Sequence, residues 1–183
     1  MPVFNTSIGG LLVVSWPVLA DSRGFFKQTY QLSELSAVLG RDLRMQQGNH
    51  SRSMARVLRG FHAEPWDKLV YVIRGVATCV VADPRPDSPT FGHTASFLLG
   101  DDPGARNRLF ISRGLANAFY CHTEVDYVND VSEEFVPQAG FGIAWNDPDL
   151  AFPWPDTDPT LSEADRRQPT LRMLFPDHSV LRG

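Results

Sequence analysis

The sequence predicts an all-β antiparallel barrel or jelly roll, on three observations. Nine short strand candidates recur along the chain, turn residues separate them, and only two segments have helical spacing. The predicted strands are Leu11–Val14, Phe25–Tyr30, Arg56–Phe61, Lys68–Ile73, Ala77–Ala82, Ala95–Leu99, Arg108–Ile111, Asn117–His122 and Val125–Val131. The 14 glycines and 14 prolines are spread over the whole chain, as many short strands joined by turns require. Arg74-Gly75, between two of the runs, is expected to form a tight hairpin. The segment from Asp83 to Pro89 holds three prolines and cannot be a central strand.

The two helical segments are short. Ser33 is expected to cap the first, with Leu35, Val38 and Leu39 on one face and Gly40 ending it. Ser162 starts the second, and Glu163 and Asp165 in its first turn favour the helix dipole. No internal repeat or low-complexity tract interrupts the 183 residues, so one domain over residues 1–183 is expected.

Composition narrows the function. A hydrophobic share of 43% and a charged share of 21% are ordinary for a globular protein. A net charge of −4 and a pI near 5.7 supply no strong basic field, which argues against nucleic-acid and anionic-membrane partners. Local basic groups remain able to hold a small phosphorylated ligand. Cys79 and Cys121 are too few and too isolated for a disulfide framework or a zinc site, and fit reduced core residues of a cytoplasmic protein. Leu11–Val14, the only early apolar run, is too short for a signal peptide or a membrane span.

The densest polar cluster in a strand setting is Arg59-Gly60-Phe61-His62-Ala63-Glu64, followed by Lys68. Alternation places Gly60 and His62 on one face of a strand and Phe61 on the other. By spacing alone His62 fits two roles equally, a base beside an anion site or a hydrogen-bonded core histidine. His62-x-Glu64 resembles half of a cupin metal motif, but no second histidine follows, and His50, His93 and His122 lack ligand spacing. No metal is predicted. Asp21-Ser22-Arg23-Gly24-Phe25-Phe26 offers an Arg able to grip a phosphate and two aromatics, at least one of which is expected to fill the core. Gln47-Gly48-Asn49-His50-Ser51 reads locally as a turn, and so does Trp145-Asn146-Asp147-Pro148. Ser162-x-x-Asp165 resembles a capping box, which gives Asp165 a purely structural role.

Taken in order, these elements resemble the dTDP-4-dehydrorhamnose 3,5-epimerase family. The matching stretches are Asp21–Phe26, Gln47–Ser53, Val57–His62, Asp67–Val70, Asp83–Gly92, Ile111–Phe119, Gly142–Pro155 and Leu161–Asp165. Leu58-Arg59-Gly60-Phe61-His62 and Trp145-Asn146-Asp147-Pro148 with Trp154-Pro155 are the most specific of them. The resemblance implies a homodimeric, cupin-like antiparallel jelly-roll barrel with short flanking helices and neither metal nor organic cofactor. It implies a nucleoside-diphosphate sugar substrate, a dTDP-linked 4-keto-6-deoxyhexose inverted at C3, C5 or both in deoxysugar biosynthesis. By the same resemblance His62 is the base, Asp165 holds its other ring nitrogen, and Lys68 stabilises the developing oxyanion. Arg23 and Arg59 match diphosphate grips, and Gln47 and Asn49 match polar ligand contacts. Phe26 and Phe135 match a pair enclosing the base, with Arg23 reaching into a neighbouring barrel.

The chain departs from the family pattern on the acid side of the reaction. Counting back from Phe135-Val136-Pro137, the tyrosine that delivers a proton to the opposite face falls on Asn129, and Tyr127 lies two residues earlier. An amide supplies no acidic proton at neutral pH, so the acid is expected to be Tyr127 or water. Asn117 stands where the family has histidine, Gln28 and Gly140 replace glutamates, and Ala164 replaces a lysine. Three readings follow: an epimerase, of one carbon or of both; a related barrel enzyme that isomerises a nucleotide 4-keto sugar; or an impaired sugar-nucleotide-binding homologue.

Overall fold

The apolar runs become antiparallel strands, and in this computed structural model residues 3–102 and 104–178 are described. Thirteen strands and three short helices occur among them. In chain order they are β1 (Val3–Asn5), β2 (Leu11–Val14), β3 (Leu19–Asp21), β4 (Gly24–Phe26), α1 (Leu32–Leu39), β5 (Gln47–Ser53), β6 (Leu58–Ala63) and β7 (Lys68–Arg74). There follow β8 (Val76–Ala82), β9 (Thr94–Gly100), β10 (Arg108–Ile111), β11 (Ala116–Cys121), β12 (Val125–Val131), β13 (Phe141–Ile143), α2 (Glu163–Arg166) and α3 (Leu171–Leu174).

One sheet runs β1-β2-β10-β7-β12-β5, the other β13-β6-β11-β8-β9, and β3-β4 form a separate hairpin. Every strand pairing is antiparallel. The result is the predicted all-β fold, a cupin-like jelly roll. Its interior is filled from both sheets, by Val70, Val72 and Ile111 on one side and Cys79, Val81 and Phe119 on the other. Both outer faces are also covered. Leu12, Leu69 and Phe110 pack under α1, while Phe61, Val80 and Ile143 pack under the C-terminal segment with Leu171 and Trp154. Strands buried on two faces read as unbroken apolar runs, which is why Arg108–Ile111 shows no alternation. Each fully buried side chain such as Phe61 or Phe110 contributes about 1.5–3 kcal/mol.

Several expectations need correction. Arg74-Gly75 does not close a hairpin, because β7 and β8 belong to different sheets and the chain turns a corner between them. Gly75 takes φ +81°, and a Cβ there would lie 2.0 Å from the Glu124 carbonyl oxygen. Gly75→Ala should therefore destabilise the fold by at least about 2 kcal/mol, since a strained backbone costs about 1–3 kcal/mol and overpacking about as much again. Urea denaturation measures this, and a change below about 0.5 kcal/mol would show that the corner relaxes. Ser33 is not a cap: α1 starts from Gln31 without a side-chain bond, although Gly40 ends it in the left-handed conformation as expected. Leu32, Leu35 and Leu39 face the core, whereas Val38 points to solvent.

The stretch Phe25–Tyr30 is a strand only as far as Phe26, and Gln47–Ser51, expected as a turn, begins the edge strand β5. The strands β1, β3 and β13 and the helix α3 were not anticipated. Cys79 and Cys121 are unpaired and buried, as expected. No helix among the described residues is long and apolar enough to cross a membrane.

Candidate active site

A cavity of about 580 Å³ opens between the two sheets, and His62 stands on its wall. The strand β6 lies between β11 and β13, with His62 opposite Asn117 on one side and Gly142 on the other. Alternation turns Gly60 and His62 toward the cavity, and Phe61 outward to meet Trp154 with ring centroids 5.9 Å apart.

The residues that partner β6 arrive from the far end of the chain. Thr160 bridges Val57 and exchanges main-chain hydrogen bonds with Arg56 and Leu58, which lays the start of α2 beside Gly60. Asp165 there accepts at Oδ1 from His62 Nε2 at 2.9 Å. Its Oδ2 accepts from the Ser162 hydroxyl at 2.7 Å, and its main-chain N–H donates back to that hydroxyl at 3.0 Å. Both roles offered for Asp165 thus coexist: its main chain is capped and its carboxylate holds the imidazole. A Cβ at position 60 would lie 2.8 Å from Asp165 Oδ1, so glycine is what lets the carboxylate approach. Burial raises the Asp165 carboxyl, but the bonds from His62 and Ser162 outweigh it and hold the group below the usual 3.8. His62 Nδ1 has no hydrogen-bond partner among the described residues and is the nitrogen left to take a proton.

Lys68 is buried on β7 yet lines the cavity. Its ammonium donates to the His62 carbonyl oxygen at 3.0 Å and to Asn117 Oδ1 at 2.6 Å, and it pairs with Glu64. Tyr127 and Asn129 share the inner face of β12, as their spacing predicts. Tyr127 stacks on Phe119 at 4.1 Å between centroids, and its hydroxyl accepts from Asn117 Nδ2 at 3.5 Å. Burial, with Cys79 second, pushes the Tyr127 phenol well above 10. Asn129 Oδ1 is buried and has no hydrogen-bond partner among the described residues.

Eight of the thirteen residues singled out in the sequence line this one cavity: His62, Asp165, Lys68, Tyr127, Asn129, Asn49, Arg59 and Asn117. Arg59 Nε donates to the Ser53 hydroxyl at 3.0 Å. The other five lie elsewhere. Gln47 bonds Asn49 at 2.6 Å and the Phe135 main-chain N–H at 2.9 Å, which ties the rim of β5 to the segment after β12. Phe135 is 62% exposed and edges onto Trp66 in a neighbouring recess of about 320 Å³, which shares His62 and Glu64 with the cavity. Arg23 and Phe26 project on the β3–β4 hairpin, where Arg23 grips Asp21 at 2.6 Å and Phe26 is 68% exposed. Gln28 bonds Tyr30 and Gln31 beside α1. This chain does not bring Arg23, Phe26 or Gln28 to its own cavity.

Glu64, Ser51, Phe119 and Ser162 also line the cavity, and sequence reasoning assigned them no ligand role. The signal for Glu64 was its position two residues past His62 on the same face, four before Lys68. Among the described residues no group of three or more His, Cys, Asp or Glu side chains is arranged to hold a metal ion. A buried ammonium, an imidazole backed by a carboxylate and an Arg at one opening suit removal of a proton next to a carbonyl in an anionic ligand.

Comparison with known proteins gives consistent matches. A family model described as dTDP-4-dehydrorhamnose 3,5-epimerase matches residues 5–173. The dTDP-4-dehydrorhamnose 3,5-epimerase of Escherichia coli (strain K12) is 34% identical over 181 residues, 96% of this chain and 97% of that protein. NovW, a 4-keto-6-deoxy sugar epimerase from the novobiocin gene cluster of Streptomyces spheroides, superposes with a TM-score of 0.90 at 30% identity, covering 94% of this chain and 88% of that one. The epimerase RmlC of Legionella pneumophila, solved with dTDP-4-keto-L-rhamnose, superposes with a TM-score of 0.88 at 30% identity, covering 100% and 99%.

Proposed function

The chain belongs to the dTDP-4-dehydrorhamnose 3,5-epimerase family, and from that premise we propose that it epimerises a nucleoside-diphosphate 4-keto-6-deoxyhexose, dTDP-linked, at C3, C5 or both. The 4-keto group acidifies the C–H bonds at C3 and C5, so removal of either proton leaves an enolate. His62 is the base. Asp165 fixes its tautomer and stabilises the imidazolium once the proton has moved. Lys68 meets the charge that gathers on the sugar oxygen, where a low dielectric strengthens the attraction. The observation that carries this reading is the His62–Asp165 pair opening onto a cavity that also holds a buried ammonium.

The diphosphate falls to Arg59 at the cavity wall, and the nucleobase to the recess beside Phe135. Arg23 and Phe26 belong to this reading through a homodimer, in which the exposed β3–β4 hairpin of one copy reaches the cavity of the other. The exposure of Leu19, Phe25 and Phe26 supports such a covered hairpin. Two buried, unpaired cysteines support a cytoplasmic location.

The test is incubation with dTDP-4-keto-6-deoxyglucose in deuterium oxide, followed by NMR of the sugar ring. Deuterium should enter at C3, C5 or both, and a ring that stays fully protonated would remove the enolate reading. Arg59→Ala should weaken dTDP binding by about 1–3 kcal/mol, the scale of a charged hydrogen bond. Calorimetric titration measures it, and unchanged affinity would take the diphosphate away from Arg59. One observation favours a narrower activity. Asn129 lines the cavity, and where the count back from Phe135-Val136-Pro137 puts the proton donor on it, the enolate forms more readily than it is protonated from the far side.

A further inference from the structure

The task given to Lys68 is one that only an ammonium performs, and Lys68 is 2% exposed. A buried amine has lost its water, and burial alone drives it toward the neutral form. Three acceptors replace that water: the His62 carbonyl oxygen, Asn117 Oδ1 and the Glu64 carboxylate. They occupy all three N–H donors, and only one of them is charged.

The other titratable and charged groups on the elements around Lys68 offer no substitute. From β8 comes Cys79, a thiol pushed up to about 12 by burial and therefore neutral. From β12 comes Tyr127, whose phenol also keeps its proton. On β11 stands the uncharged Asn117. From α2 comes Asp165, whose carboxylate is committed to His62 and Ser162. The neighbouring β10 brings Arg108, itself paired with Asp130 at 2.8 Å, and β6 brings the His62 ring. Among the described residues Glu64 is the one carboxylate in contact with Lys68. It stands where the cavity meets the recess beside Phe135, and its side chain is a quarter exposed.

We propose that Glu64 is a positioning residue for the reaction, keeping Lys68 an ammonium at working pH and holding it at the cavity wall. The proposal rests on the enolate reading above and on the place of Lys68 in it. Burial sets Lys68 below its ordinary 10.5, and the charge and hydrogen bond of Glu64 oppose that fall more than any other group does. The sign follows: without Glu64 the ammonium loses its proton at a lower pH, and the alkaline limit of the reaction moves down with it.

The experiment records deuterium exchange into the substrate against pH for the parent, Glu64→Gln and Glu64→Asp, alongside the NMR titration of the Lys68 Nζ in nitrogen-15-lysine protein. Glu64→Gln should lower the alkaline limit by about one pH unit or more while keeping the rate below that limit within a few-fold. Glu64→Asp, which retains the charge at shorter reach, should fall between the two. The Nζ titration should move in parallel. Should Glu64→Gln fail to fold for want of a counter-ion, the Glu64→Asp shift decides alone. An unmoved limit and an unmoved Nζ titration would overturn the proposal. A moved Nζ titration with an unmoved rate profile would overturn it too, because the charge on Lys68 would then be unused. A parent that exchanges no deuterium at any pH removes the reaction itself, and with it the positioning role, while the Nζ titration separately reports the ion pair.

Discussion

Replacing His62 with alanine should lower deuterium incorporation from solvent by about 10²–10⁴-fold, the usual contribution of a positioned general base, while the fold and dTDP binding persist. The fold persists because His62 is half exposed and its partners remain satisfied in its absence. Asp165 keeps the Ser162 hydroxyl, and the strand pairing of β6 to β11 and β13 is made by the main chain. Binding persists because Arg59 keeps its bond to Ser53 and Phe135 its contact with Trp66, neither of which uses the imidazole. Asp165→Asn should give a smaller loss than His62→Ala. An amide at that position still allows the main-chain cap, but it cannot offset the charge of an imidazolium. Exchange kinetics by NMR, with circular dichroism and calorimetric binding on the same samples, separate the outcomes. Collapse of the fold in His62→Ala would return the residue to the core role that its spacing allowed equally. Unchanged exchange in Asp165→Asn would leave Asp165 with the helix cap alone.

What the sequence displays and what it hides divide along physical lines. Strands carrying a regular set of apolar residues, such as Leu11–Val14 and Val125–Val131, were legible to the residue, because burial of those residues dictates their spacing. The edge strand β5 was not, because an exposed edge accepts polar side chains, and Gln47-Gly48-Asn49-His50 looks locally like a turn. Three-residue strands such as β1, β3 and β13 are too short to show any period. The connection at Gly75 looks like a hairpin because sheet membership is not written in local sequence. The strands it joins pair with β10 and β12 on one side and with β9 and β11 on the other. The site follows the same division. Spacing placed Gly60 and His62 on one face, but the bond from His62 to Asp165 spans 103 positions, and only the family resemblance suggested it. The ion pair of Glu64 with Lys68 is close in sequence, yet the pattern evoked a metal motif because it does not reveal how deeply Lys68 is buried.

The second large effect is expected on the acid side, where inversion and exchange separate. In the proposed reaction proton removal falls to His62, its carboxylate and Lys68, and all three meet in the cavity. Inversion also needs a donor on the opposite face, and β12, in the sheet facing β6, is where the proposed reaction seeks it. Asn129 there carries a carboxamide, which cannot protonate carbon and whose Oδ1 is buried without a hydrogen-bond partner among the described residues. Tyr127, one pleat away on the same face, is the one phenol lining the cavity among the described residues. Its raised pKa keeps it protonated throughout the working range, and its hydroxyl is steadied by Asn117 while its ring is clamped on Phe119. A neutral, oriented phenol is able to donate, although one so deeply buried is a slower acid than an exposed one. The parent protein should therefore exchange deuterium faster than it inverts, because His62 returns many protons to the face they left. Tyr127→Phe should suppress inversion by about 10²-fold or more while leaving exchange measurable, since only the far-side donor has gone. Asn129→Tyr should raise the ratio of inversion to exchange by a similar factor, by placing a phenol where the family pattern has one. Both ratios come from one set of NMR spectra, with deuterium content reporting proton removal and ring coupling constants reporting configuration. Inversion in Tyr127→Phe at the parent's rate would exclude this phenol and assign the far-side proton to water held in the cavity.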